Sequence, residues 1–247
     1  MQKFYLILLA LFLFQCSEDE TNPKKECKLL TYGQNQLSYD AQGRAILLRQ
    51  LDTDSNVLED GGKSILTYDG VNRLTKIDIH YGAEYWGYVE YEYADNLIIQ
   101  NEYWPVEGAM TKMYTLKLTL NDAGKVTRVD HEPVDHDPFD VVYEYDNRGN
   151  VIRFTTKDSD NVTRVTEQKF DDHPSPFSAT GMLIEIGFYN YFTPTSQSSN
   201  NVIERKTSVD GGTPTVVTYQ YQYNEEGLPT SYTTSTGTSF SFGYDCD

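Results

Sequence analysis

The residues of this chain best suited to chemistry are aromatic. Trp86 and Trp104 fall in neighbouring segments with Tyr81, Tyr85, Tyr88, Tyr91, Tyr93 and Tyr103. Flat aromatic faces hold sugar rings by CH–π contact and apolar burial, so Trp86, Trp104, Tyr85 and Tyr88 are candidate ligand-binding residues, with polysaccharide the candidate ligand. Aromatics at a period of two also build the core of an all-β protein, and the sequence leaves both readings open. The densest group of metal-type ligands is Asp130-His131-Glu132-Pro133-Val134-Asp135-His136-Asp137. Its two His and four carboxylates suit a transition metal or Ca²⁺, but Pro133 and Pro138 mark an exposed connection, and the expectation is a solvated loop without a metal. Asp52-Thr53-Asp54-Ser55-Asn56 opens like a Ca²⁺ loop, yet Val57 stands where Gly is required and Lys63 takes the twelfth place, which removes the case.

Enzyme signatures are missing: the chain has no Gly-x-Ser-x-Gly, no His-Glu-x-x-His and no phosphate-binding Gly-rich loop. No catalytic residue and no cofactor is assigned. A glycosidase needs only two carboxylates at the right separation, so a hydrolase acting at the mouth of the fold stays as the alternative to a non-catalytic binding or scaffold module. A third constellation is a column of bases, Lys76, Arg128 and Arg153, each four residues past a turn and near carboxylates such as Glu92 and Glu144. It would either grip an acidic glycan or make cross-strand ion pairs on a wet face, and the ion pairs are the expectation.

These side chains must be positioned by strands. Val217, Tyr219, Tyr221 and Tyr223 share one face while Thr218, Gln220 and Gln222 share the other, and Leu116, Leu118 and Leu120 alternate likewise with Thr115, Lys117 and Thr119. Between strands a unit recurs, clearest at Tyr145-Asp146-Asn147-Arg148-Gly149-Asn150. The Asp carboxylate can fold back onto the turn backbone and the Gly accepts a positive φ, which makes a hairpin with a bulged turn. Copies begin at Tyr39, Tyr68, Tyr93, Leu120, Tyr145, Phe170, Tyr223 and Tyr244, and Ser196 leads a degenerate copy containing Asn200-Asn201, at steps of 21 to 29 residues. A period near 26 is one hairpin with its return, so the chain is an antiparallel meander. About sixteen strands in a twisted sheet must curl, and closure into a barrel is the expected solution. Pro174 to Asn201 is the longest break in the repeat, and its Met182-Leu183-Ile184 and Tyr189-Asn190-Tyr191-Phe192 are apolar enough to cap or plug one end.

The ends give an address. Lys3 precedes the apolar run Phe4 to Phe14, which at eleven residues is too short to span a bilayer and reads as a secretory signal over 1–15. Leu13-Phe14-Gln15-Cys16 resembles a bacterial lipobox, which implies acylation of Cys16, although Gln15 replaces the usual small residue; an ordinary signal peptide or an uncleaved anchor are the alternatives. Residues 16–26 then form a polar tether and 27–247 a single domain. Cys27 and Cys246 remain, one near each end of that domain; in an oxidising compartment they can form a disulfide that ties first strand to last, or stay as two thiols. With 20 basic against 37 acidic residues and a net charge of −17, the chain repels polyanions, which excludes nucleic acid as a partner. A membrane-embedded barrel is disfavoured by charges on both sides of many strands and by Asp247 where outer-membrane barrels end in an aromatic.

The repeated Tyr-Asp-x-x-Gly-Asn/Arg units are similar to the YD repeats of RHS-type proteins. Their spacing in a short secreted chain resembles the YD-repeat lipoproteins of Gram-negative bacteria, a domain of unknown function described as having a porin-like fold. The likeness spans 27–247 and includes Asp171-Asp172-His173-Pro174-Ser175-Pro176-Phe177 and Ser199-Asn200-Asn201-Val202. It implies a porin-like fold and an outer-membrane location; with the residues read above, the expectation is a soluble barrel, lipid-anchored in the outer membrane on the cell-surface or periplasmic face, with an envelope protein or polysaccharide as partner. Ser17 after the Cys, and the acidic Glu18-Asp19-Glu20, resemble outer-membrane and surface-export signals respectively. The resemblance carries no catalytic residues.

Overall fold

The computed structural model describes residues 27–133, 139–177 and 198–246. Their sixteen strands begin with β1 (Cys27–Tyr32), β2 (Asn35–Tyr39), β3 (Ala45–Gln50), β4 (Gly62–Tyr68), β5 (Leu74–Tyr81) and β6 (Glu84–Ala94). Then come β7 (Leu97–Val106), β8 (Ala109–Leu120), β9 (Val126–Pro133), β10 (Phe139–Tyr145) and β11 (Val151–Asp158). The last are β12 (Thr163–Pro174), β13 (Asn200–Val209), β14 (Thr215–Tyr223), β15 (Pro229–Thr234) and β16 (Ser239–Cys246). Each strand pairs antiparallel with the next, and β1 pairs with β16, so the meander closes into a barrel. Closure removes both sheet edges, the usual weak point of a long open sheet. Cys27 and Cys246 face each other across that seam and are joined by a disulfide spanning 219 residues of sequence.

The repeat units turn at the same end of the barrel, and four of them do so by the same bonds. Asp40 Oδ1 accepts the N–H groups of Gln42 and Arg44, Asp69 those of Val71 and Arg73, Asn121 those of Ala123 and Lys125, and Asp146 those of Arg148 and Asn150. Gly43, Asn72, Gly124 and Gly149 supply the positive φ that lets the chain return. The hydrogen bonds outweigh partial desolvation at Asp40 and Asp146 and, led by the Arg73 N–H, act in the same sense at Asp69; all three carboxyls sit below the usual range.

The leading tyrosine acts on its neighbour. Tyr68 donates its hydroxyl to Ala45 O at 2.7 Å, Tyr93 to Leu74 O at 2.8 Å, Tyr145 to Val126 O at 2.6 Å and Tyr244 to Pro229 O at 2.9 Å. Each acceptor opens the strand after the preceding turn, where a bulge disturbs the ladder. Tyr39 carries the pattern onto the first strand by donating to Leu29 O at 2.6 Å. The base that ends one unit lies over the ring of the next: Arg44 over Tyr68, Arg73 over Tyr93 and Lys125 over Tyr145, at 4.9, 4.8 and 5.4 Å. Among these units the repeat is thus a girdle that ties a hairpin to the one before it; Leu120 has no hydroxyl to take part, and Tyr223 donates to Asp171 Oδ2 instead. Phe170 has no hydroxyl to offer Val151 O. Gln168, on the same strand face, replaces it: with its amide nitrogen toward the carbonyl it donates to Val151 O at 2.9 Å and accepts from Arg205 Nη2 at 3.3 Å.

The Phe170 unit is interrupted in mid-turn. Asn201 N donates to Asp171 Oδ1 as Asn150 N does to Asp146, and Phe170 pairs with Val202 as Tyr145 pairs with Val151. Asn200-Asn201 is therefore the second half of the Phe170 turn and not the opening of a turn of its own, while Ser196, expected to lead a separate copy, lies outside the described residues. After β12 the chain turns inward. Ser175 and Pro176 are buried, and Phe177 packs edge-on against Tyr32 and Phe242 of the core at 5.4 and 6.4 Å. Residues 182–184 and 189–192, expected as a cap or plug, lie outside the described residues.

The inner face carries the core. Leu48, Ile77, Val89, Ile98, Leu118, Val126 and Val151 are buried in one cluster drawn from β1 to β11 and β16. The outer face carries ion pairs: Lys76 with Asp78, Arg128 with Asp130 and Asp140, Arg153 with Glu144, Lys117 with Glu132, Lys169 with Glu204. Charges of both signs along the wall suit water and would be costly against lipid. The basic column is spent on these pairs and leaves no grip for an acidic glycan.

Candidate functional site

The girdle accounts for the aromatic residues at the turn end. Those at the opposite rim have a different environment, set by β5 to β8. On β5, Ile77 and Ile79 point inward and Lys76, Asp78 and His80 outward. On β6, Val89 and Tyr91 continue the inner face, opposite Glu102 and Gln100 of β7. This regular ladder ends at Gly87. It opposes Ile79 while Tyr85 opposes His80, so Trp86 is the extra residue of a bulge. Gly87 has φ +148°, and a Cβ there would lie 2.3 Å from Tyr103 O and 3.1 Å from Trp104 Cδ1. Only glycine fits this place, and by fitting it lets the Trp104 indole lie against the β6 backbone.

The bulge separates the four candidate residues. Trp86 is 49% exposed and packs against Tyr81 at 4.9 Å. Trp104 is 40% exposed and follows Glu102 on the inner face of β7. Tyr85 and Tyr88 belong to the outer wall. Tyr85 packs on His80 and donates its hydroxyl to Asp78 Oδ1 at 2.7 Å; burial, reinforced by that carboxylate, pushes its phenol well above the ordinary range. Tyr88 stacks on Tyr103 at 4.5 Å under the Lys76 ammonium. The structure therefore brings Trp86 and Trp104 to the rim and sets Tyr85 and Tyr88 behind them on the other side of the sheet. Val106 and Met110, in the hairpin that projects past Trp104, are also exposed. Tyr91 and Tyr93, by contrast, belong to the core.

Trp104 is held from behind. Its Nε1–H donates to Glu102 Oε1 at 2.6 Å, and the Tyr114 hydroxyl donates to Glu102 Oε2. Glu102 is 3% exposed. One register step deeper, Tyr91 and Gln100 oppose each other, and the Tyr91 hydroxyl and Gln100 Nε2 are buried with no hydrogen-bond partner. Sequence reasoning missed Glu102 and Gly87. The alternation that puts Glu102 on the same face as Ile98 and Gln100 was a usable signal; the bulge at Gly87 left none.

Other candidates resolve differently. Asp130, His131, Glu132 and Pro133 are not a loop but the last residues of β9. Asp130 and Glu132 are held by Arg128 and Lys117, and His131 stacks on Phe139 at 4.4 Å and packs against Tyr114. The prolines mislead because Pro133 sits at the strand's last position, where its missing N–H costs little; residues 134–138 lie outside the described residues. Glu226 brings a carboxylate within 4.8 Å of the Cys27 and Cys246 sulfurs, but the disulfide leaves them no thiolate to offer a metal. A hydrolase would need two carboxylates poised across an opening. Glu102 has both oxygens engaged, and Asp78 accepts from Lys76 and Tyr85 on the far side of the wall.

No family model matches the chain, and no curated protein matches it. Among solved structures it is similar to a porin-like protein from Bacteroides vulgatus ATCC 8482, with a TM-score of 0.51, 12% identity, and 90% of this chain and 98% of that one covered. A porin-like protein from Bacteroides uniformis ATCC 8492 matches at TM-score 0.38 and 13% identity, over 76% of this chain and 90% of that one. A Tc holotoxin pore from Photorhabdus luminescens matches at TM-score 0.22 and 14% identity, covering 83% of this chain and 9% of that one. The first likeness shows a shared porin-like fold; the other two superpose too loosely to add to it.

Proposed function

We propose that this chain is a non-catalytic envelope lipoprotein of the YD-repeat kind, whose barrel is a binding module for polysaccharide. In this reading residues 1–15 are a signal peptide, Cys16 carries the lipid, 16–26 are a tether and 27–247 the barrel, held at the outer membrane. The observation that carries the ligand class is the exposure of both tryptophans at one rim, because an all-β core would have buried them. The girdle, which consumes the other repeated aromatics as structure, strengthens the contrast. The chain enters the barrel at Cys27, at the turn end. A lipid tether of ten residues reaches at most about 33 Å from the membrane and would point the tryptophan rim away from it, toward passing ligand.

The test is binding of the full-length chain, disulfide oxidised, to soluble and insoluble polysaccharides, read by tryptophan fluorescence and pull-down. Saturable binding that Trp86→Ala or Trp104→Ala abolishes is the expected result. Binding that survives both substitutions, or no binding to any polysaccharide, overturns the reading and turns the search to protein partners in the envelope.

A further inference from the structure

We propose that Glu102 is a positioning residue that sets the plane of Trp104, and that the rim so built selects uncharged glycans and rejects polyanionic ones. The inference rests on the polysaccharide reading above and names the ligand class of the same site. A tryptophan at a rim would ordinarily sample several rotamers, and immobilising it on binding costs affinity. Here the cost is met in advance. The indole N–H is fixed to one carboxylate oxygen, the other oxygen is fixed by Tyr114, and Gly87 clears room for the indole edge. What stays exposed is therefore the ring surface of Trp104 and not its polar edge, which is the part a pyranose face packs upon.

The charge around the rim decides which sugars can approach. Glu102 lies directly behind the indole, Glu84 begins β6, and Glu107 sits in the turn between β7 and β8. The nearby bases lie on the other side of the sheet: Lys112 pairs in register with Tyr103, and Lys63 with His80, both outer-wall residues. Lys76 is held by Asp78. No cation is aimed at the aromatic surface among the described residues, in a chain of net charge −17. Uronate or sulfated chains would bring like charge to this surface, whereas a neutral chain brings none.

The experiment uses the full-length oxidised protein with neutral probes (cello-, xylo- and manno-oligosaccharides) and anionic ones (polygalacturonate, chondroitin sulfate), in low and high salt. Wild type is expected to bind a neutral probe with little salt dependence and to bind the anionic ones at least about tenfold more weakly, ~1.4 kcal/mol. Glu102→Gln keeps an acceptor for the indole and should retain neutral binding. Glu102→Leu removes it, and should weaken that binding about tenfold or more while increasing acrylamide quenching of Trp104, measured in a Trp86→Phe background. Equal binding of anionic and neutral probes overturns the selectivity. Unchanged quenching and affinity in Glu102→Leu overturn the positioning role. If Glu102→Leu does not fold, slow hydrogen exchange of the Trp104 indole N–H in wild type, lost in Glu102→Asp, reads the same bond, and fast exchange in wild type refutes it. Wild type binding no probe while its indole N–H exchanges slowly would locate the failure in the polysaccharide reading and not in the positioning role.

Discussion

Replacing Tyr145 with Phe deletes one hydroxyl and leaves the ring in place. The bond lost runs 2.6 Å to Val126 O, and a net hydrogen bond contributes about 0.5–1.5 kcal/mol. Val126 is itself fully buried, so its carbonyl loses the phenol donor where water does not readily replace it, which adds up to about 1–3 kcal/mol. Tyr145 lies at the turn end and is half-buried, so water recovers part of this, and the expected loss is about 1.5 kcal/mol. In a domain this size that lowers Tm by about 3–6 °C. The chain contains its own control. Phe170 already lacks the hydroxyl, and Gln168 supplies the missing donor to Val151 O. Gln168→Leu should therefore cost a similar amount in the native background and much less when Phe170→Tyr restores the phenol. Urea unfolding followed by circular dichroism gives the four free energies of that cycle. A Tyr145→Phe change within about 0.3 kcal/mol of zero, or a Gln168→Leu cost equal in both backgrounds, would refute the girdle.

Three further expectations follow from the same geometry. Breaking the Cys27–Cys246 bond with a dithiol reductant should destabilise the barrel by up to about 5 kcal/mol, the chain-entropy value for so long a loop, read as a fall in urea midpoint that Cys27→Ser with Cys246→Ser reproduces; an unchanged midpoint would mean the seam holds by its ladder alone. Gly87→Ala should cost at least about 2 kcal/mol and shift tryptophan emission, since the new methyl group meets Tyr103 O; a silent substitution would contradict the bulge. Stability should fall at both pH extremes. Because Asp40, Asp69 and Asp146 are depressed in the fold, their contribution is present above the unfolded carboxylate value near 4 and is lost as pH drops through their lower folded values. Burial pushes Tyr39 and Tyr93 up to about 12, so their contribution is complete below about pH 10 and is lost as pH rises through about 12. Asp→Asn at all three turns, the residue already used at Asn121, should flatten the acid limb only.

The hairpin units were legible because their determinants are local: an Asx carboxylate reaching two and four residues ahead, and a positive φ three residues after it. From the recurrence of such units about sixteen strands followed, and closure with them, since so many twisted strands must curl. The purpose of the leading tyrosine was hidden, because its acceptor lies about 20 residues away in the preceding hairpin. The split turn at Asp171 was hidden for a related reason: Asn201 completes it from 30 residues downstream, and local pattern assigns Asn200-Asn201 to themselves. At the rim the period-two alternation of β6 runs from Tyr91 and Val89 to Gly87 and breaks there, because the extra residue Trp86 changes which face its neighbours take. Trp86 and Trp104 were singled out by residue type; Glu102, which accepts the Trp104 indole N–H, was within reach of the alternation along β7 but its carboxylate looked out of place on an inner face.

In the function proposed above the turn end is scaffold and the opposite rim, over β5 to β8, is where ligand binds. Hydrogen–deuterium exchange of the full-length oxidised chain, with and without a polysaccharide selected by pull-down, tests it most directly. Added protection confined to Tyr81–Gly87 and Tyr103–Met110, with the turns at Asp40, Asp69, Asn121 and Asp146 unchanged, is the predicted result. Protection at those turns with an unaltered rim would contradict it.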